Sequence, residues 1–153
     1  MSKISCSNDG DVVLSDSRMP TCLVESSDGD VNVRDSEGSF NITVDDGDVT
    51  VESSRLGEAV IRTEDGDVEL DLLSSDGIAL DVEVEDGDVI VDLEHGFSTT
   101  FTITTEDGEI SLDLPQAQMT RSDERERAGV LHGGSGSIRI RGHDGTIVLR
   151  ESN

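Results

Sequence analysis

The sequence predicts an all-β protein: a parallel, single-stranded β-solenoid of about seven coils, folded as one domain over residues 1–153. Three observations lead there. Asp-Gly-Asp stands at Asp9-Gly10-Asp11, Asp28-Gly29-Asp30, Asp46-Gly47-Asp48, Asp65-Gly66-Asp67 and Asp86-Gly87-Asp88, with Asp107-Gly108-Glu109 and Asp144-Gly145-Thr146 as variants. The glycines from Gly10 to Gly108 are 19, 18, 19, 21 and 21 residues apart. A period near twenty residues marks one supersecondary unit stacked on copies of itself. Apolar residues also keep fixed places around each glycine, which a disordered acidic chain has no reason to do.

The arm before each turn carries Val24, Ile42, Ile61, Val82, Ile103 and Ile140 five positions ahead of the glycine, and Cys22, Phe40, Ala59, Leu80, Phe101 and Ile138 seven ahead. Ile4 and Cys6 fit these rows with a one-residue slip. The arm after the turn carries Val12, Val31, Val49, Val68, Val89, Ile110 and Ile147, then Leu14, Val33, Val51, Leu70, Val91, Leu112 and Leu149. Polar residues fill the places between. Period-two alternation rich in Val and Ile makes both arms strands. The turn needs Asp and Gly because a tight corner demands positive φ. The rival architecture is an antiparallel hairpin meander or sandwich, since Asp-Gly is also a strong type I′ hairpin signal. Like residues recurring row after row, and connections as long as Ser15 to Thr21, favour the solenoid.

Residues 115–135 break the period with a charged run, Arg121 to Arg127, and a Gly-rich stretch. They read as an insertion, either a short helix or a mobile loop, before a last coil over 137–149. Cys6 and Cys22 are too few for a disulfide framework and read as small core residues.

Composition narrows function. The net charge of −24 excludes a nucleic-acid surface and disfavours docking on anionic lipid. Asp outnumbers Glu and Lys3 is the single lysine, a halophile-type balance; about 1 M salt shortens the screening length to about 3 Å and quiets the self-repulsion. Stacked Asp rows about 4.8 Å apart repel by about 0.9 kcal/mol per pair at water's dielectric, so diffuse monovalent cations are expected around the turns without defined sites. The turn spacing matches neither the nine-residue calcium repeat nor a twelve-residue calcium loop, and the corner geometry explains the Asp and Gly. His95, His132 and His143 fall in turns or loops in no metal or nucleophile spacing and read as solvated. No cofactor fingerprint is present. No apolar run reaches eighteen residues, so no membrane insertion is expected. With Met1 as the native start, the expected place is the cytoplasm; a trimmed form would belong to the cell surface.

The "DGDV.V" units closed by "GGSGSIRIRGHDGTIVL" resemble the adhesin-type β-strand-repeat domains of bacteria and archaea over about Ile4 to Leu149, outside the insertion. That resemblance implies a β-helix-like stack, a non-enzymatic role and no catalytic residues. The chain is also similar to bactofilins, which implies end-to-end polymerisation, although its rungs are more charged than theirs and no Phe closes the terminal coil. The partner expected on this reading is the protein itself. Unsealed strand edges template pairing, and the candidate self-association residues are Ile4, Val12 and Leu14 at one end and Ile138, Ile140, Ile147 and Leu149 at the other. Arg139 and Arg141 form a basic patch on the last coil, a candidate docking point for an acidic face. An adhesin-like binding module using the charged faces or the insertion is the alternative. An enzyme is not expected: short coils leave little room for a cleft, and aromatics to stack sugars are lacking.

Overall fold

In a computed structural model of the chain, residues 2–3, 11–16, 18–73 and 78–151 are described. They form fifteen strands and no helix. In chain order these are β1 (Ser2–Lys3), β2 (Val12–Ser15), β3 (Arg18–Asp28), β4 (Val31–Arg34), β5 (Glu37–Asp46), β6 (Val49–Asp65), β7 (Val68–Leu72), β8 (Ala79–Asp86), β9 (Val89–Leu93), β10 (Thr99–Thr105), β11 (Glu109–Asp113), β12 (Ala117–Ser122), β13 (Glu126–Leu131), β14 (Ser137–Asp144) and β15 (Thr146–Glu151). No helix among the described residues is long and apolar enough to cross a membrane.

The strands make two sheets joined by β6, whose first half lies in one and second half in the other. The first sheet runs β1-β3-β5-β6-β8-β14-β10-β13-β12. The second runs β2-β4-β6-β7-β9-β15-β11. Among the described residues every pairing is parallel except β10 with β13 and β13 with β12. Each Asp-Gly corner among the described residues hands the chain from one sheet to the other and closes no hairpin. The architecture is therefore solenoid-like, and the meander is not what the repeat builds.

The rows read from the sequence are the rows of the core. Val31, Val49, Val68 and Val89 stand opposite one another in register. So do Ile42, Ile61, Val82, Ile140 and Ile103. All of these are fully or almost fully buried. A third row, Ser26, Val44, Thr63, Val84 and Thr105, is buried beside them. Small β-branched side chains fill a thin interior by stacking like on like, so the core needs few aromatics.

The C-terminal coil is out of order. β14 lies between β8 and β10, and β15 between β9 and β11. The chain leaves β9, passes over one rung to make β10 and β11, and later returns to fill the vacated place. Hence Ile138, Ile140, Ile147 and Leu149, expected at the end of the stack, are interior and buried. The physical reason is that they are covered on both sides, by Leu80, Val82, Val89 and Val91 and by Phe101, Ile103, Ile110 and Leu112.

The insertion is a two-stranded hairpin rather than a helix or loop. β13 pairs antiparallel with β10, and β12 with β13, so the first sheet continues two strands beyond the last solenoid-like rung. Gly129 faces Phe101 in that register, where a Cβ would come within 2.8 Å of the ring. The close fit of the hairpin over β10 depends on that missing side chain. Ile4 and Cys6 lie outside the described residues, as does the side chain of Cys22.

Candidate functional site

Three places concentrate polar chemistry or open surface: the Asp-Gly corner, a cluster around Glu151, and the two ends of the stack.

At the corner, the second Asp of each tripeptide accepts a backbone hydrogen bond from the next rung. The N–H groups of Asp30, Asp48, Asp67 and Asp88 donate to Oδ1 of Asp11, Asp30, Asp48 and Asp67, each at 2.9 Å. Thr146 N–H donates to Asp88 Oδ1 at 2.8 Å. Thr146 has no carboxylate to pass on, and Glu109 N–H instead meets the Gly145 carbonyl at 3.1 Å. The glycines stack just as closely: a Cβ on Gly66 would lie 1.9 Å from the Gly47 carbonyl oxygen, and one on Gly87 2.0 Å from that of Gly66. The tripeptide is thus a backbone-bonding device that recurs from rung to rung between Asp11 and Thr146. Asp86, His143 and Asp144 bring donor atoms within 4.8 Å of one another at this corner, but all three are exposed.

His143 takes the place held by Glu85 and Glu106 in neighbouring coils. Its Nε2 lies 3.0 Å from Glu106 Oε2 and its Nδ1 3.5 Å from Asp144 Oδ2. The charge of Glu106, then that of Asp144, raises its pKa above the ordinary imidazole value. A raised pKa means that this stabilisation is complete below the free imidazole's pKa and fades as pH rises through the folded value. A proton NMR titration is expected to show His143 above 6.5, and Glu106→Gln to lower it; an unshifted His143 contradicts the contact.

The second cluster is one that sequence reasoning missed. Glu151 follows Gly145 by six residues, the place of Leu72 and Leu93 in their coils, and it stands opposite Leu93. Leu72 and Leu93 are fully buried, and the Glu151 side chain is only 5% exposed. Its Oε2 lies 2.8 Å from His132 Nε2 and accepts the Gly96 N–H at 3.3 Å; its Oε1 lies 3.4 Å from His95 Nδ1. Ser98 holds the same corner, donating to the His132 carbonyl at 2.7 Å and accepting from Ser135 N–H at 3.1 Å. One carboxylate therefore ties the interleaved coil to the rung-skipping connection after β9 and to the chain returning from the hairpin. Two histidines read as solvated are its partners. The legible signal was a Glu in a leucine row.

Burial pushes the Glu151 carboxyl up, but the His132 bond, the Gly96 N–H and the two imidazoles outweigh it and leave the pKa below the ordinary 4.5. A lowered pKa stabilises the fold above the unfolded value and is lost as pH falls through the folded one. Glu151→Gln is expected to cost roughly 1–3 kcal/mol at pH 7, the range for a weakened buried polar contact. The gap between wild type and variant should close in melts taken well below pH 4.5; an equal gap at every pH would show that the carboxylate charge is not what holds the corner.

The ends differ from the expectation. Among the described residues β2 pairs only with β4, and Val12 and Leu14 face inward there at 5% and 7% exposure. Val13 on its outer face is 63% exposed. At the far end the second sheet stops at β11, which pairs only with β15 among the described strands. Leu112, Leu114 and Ala117 are only partly buried there. Arg139 and Arg141 are not on a terminal coil. Arg141 reaches Glu83 at 3.4 Å and Asp81 at 3.8 Å on β8, so it ties two rungs within the chain. Arg150 does the same with Asp92 on β9 through a two-point contact. Exposed pairs of this kind add little stability, but they show where the scarce arginines are used.

The chain matches the Toastrack DUF4097 family over residues 5–150 and belongs to it. No curated protein and no solved structure matches the chain.

Proposed function

We propose that this Toastrack domain is a non-enzymatic structural module that associates with copies of itself through open strand edges at the ends of its stack. Its finer architecture on this reading is a parallel solenoid of about seven coils, akin in role to bactofilin-type or adhesin-type stacks, with an acidic surface suited to high salt. The observation that carries the proposal is the state of the second sheet. Its end strands β2 and β11 each have one neighbour among the described strands, while the same inward rows are almost fully buried in between. Solenoids without polar capping units expose such edges, and the edges template pairing with another chain.

The corner ladder supports a structural role as well. The recurrent acids hold rungs together through their Oδ1 atoms, which accounts for their recurrence without a catalytic task. Light scattering across a KCl series tests the reading. Oligomers that grow as salt screens the charge of −24 are expected; a monodisperse monomer at molar KCl overturns it. The hairpin favours a second reading, a binding module that captures a different protein on β12 and β13. Deleting 115–135 would then abolish capture of that protein.

A further inference from the structure

We infer that the C-terminal end of the stack is an isologous dimer surface, in which β11 of one copy pairs with β12 of a second copy and the reverse. This rests on the self-association reading above and narrows it to one end, one partner and one symmetry.

The end is stepped. The first sheet continues past β10 by β13 and β12, while the second sheet stops at β11. Two strands at the usual spacing make a step of about 9.6 Å. A head-to-tail neighbour would have to extend both sheets from one level, and the place beside β10 is already held by β13. Continuous head-to-tail stacking is therefore blocked here. A second copy turned about a two-fold axis along the strands sets its own two-strand overhang into the step.

Direction and chemistry agree with that arrangement. A turn with Ala117 N–H donating to the Leu114 carbonyl at 3.1 Å reverses the chain between β11 and β12. The axis keeps that opposition, so the new pairing is antiparallel. Ala117 and Met119 stand opposite Leu131 and Gly129, which in turn stand opposite Thr99 and Phe101. Leu131, Thr99 and Phe101 are buried, so this face of β12 is the core-facing one. Yet Met119 is 43% exposed, and Leu112 and Leu114 are half-covered. An isologous contact places these apolar groups against one another. β11 carries two acids, Glu109 and Asp113, and no base; β12 carries Arg121 and no acid. Arg121 already meets Asp123 at 3.1 Å and Glu126 at 3.6 Å, so β12 offers β11 a strand without acids rather than a free cation, whereas β11 against β11 would set acid on acid.

The register that keeps Ile110 and Leu112 beside Met119 and Ala117 of the second copy sets Ser111 opposite Gln118 of that copy. Both are exposed on the outer face, which gives the test. In a background of Cys6→Ala and Cys22→Ala, Ser111→Cys with Gln118→Cys is treated with a short bismaleimide in 2 M KCl. Val13→Cys with Ser111→Cys reports the head-to-tail contact. The expected products are a covalent dimer from the first pair and none from the second. In the otherwise native chain, Met119→Asp should halve the mass by light scattering and leave the far-UV circular dichroism spectrum unchanged, with a melt lowered only by the loss of association.

A ladder of oligomers from the Val13 pair, or a dimer that survives Met119→Asp, overturns this inference and leaves self-association standing. So does an oligomeric wild type whose first pair fails to cross-link. A wild type that is monomeric at every salt concentration overturns both.

Discussion

Removing residues 137–153 is expected to abolish cooperative unfolding, whereas removing residues 1–16 should leave a shorter stack that still melts in one transition. Both changes remove one coil of similar length, so chain length does not distinguish them. Place in the stack does. Loss of β1 and β2 takes strands from an edge and breaks one interface in each sheet. Loss of β14 and β15 breaks two in each sheet and leaves β11 with no described neighbour.

Stability in stacked folds is close to a sum of unit and nearest-neighbour terms, so an interior deletion costs roughly twice the interface energy of an edge deletion. It also opens a gap of about 9.6 Å, two strand spacings, between β8 and β10. Leu80, Val82, Val89 and Val91 would face that gap, and all four are buried in the intact chain. Far-UV circular dichroism against temperature reads the outcome. A sharp transition in the 137–153 deletion would show that the interleaved coil is dispensable and does not lie between β8 and β10.

Gly66→Ala is expected to cost roughly 3–5 kcal/mol, combining a strained backbone with an overpacked contact. Gly66 has φ +154°, and the new Cβ would sit 1.9 Å from the Gly47 carbonyl oxygen. That oxygen belongs to the neighbouring rung, so it cannot withdraw without disturbing the ladder in which Asp67 N–H meets Asp48 Oδ1 at 2.9 Å. Gly96→Ala is the control. Its φ is +86° and nothing lies within 4 Å of the added atom, so only the backbone penalty of about 1–2 kcal/mol applies. Urea midpoints for the two variants should differ clearly at unchanged slope. Equal midpoints would mean that the corner is loose enough to absorb a methyl group.

The Glu151 cluster and the stepped end share a feature of this fold. Both arise where the chain departs from simple stacking: at the connection that skips a rung and at the hairpin that follows. Elsewhere each rung has the same neighbours and the same demands. Functional or regulatory specialisation in a stack of this kind is most accessible at such departures, because a change there does not have to satisfy a row of equivalent contacts on both sides.

What the sequence by itself determined is the cross-section of the stack. The positions of Val31, Ile42, Ile61 and Val82 relative to their glycines named the buried rows, because alternation along a strand and like-on-like packing leave one solution. The Asp-Gly corner was equally legible, since positive φ and close approach leave few residue choices. Only the tertiary structure decided the order of the coils.

A row of Val and Ile fits beside any other such row, so the pattern that fixes what a rung looks like is silent on which rung comes next. The two departures from Asp-Gly-Asp, Glu109 and Thr146, fall on the two coils that exchange places. The hairpin, too, was hidden: Arg121 to Arg127 lacks strand alternation of apolar residues, and its pairing follows from the edge that β10 offers. Glu151 needed the fold most of all. Its partners lie 19 and 55 residues away along the chain, and no local spacing joins them until β15 is set between β9 and β11.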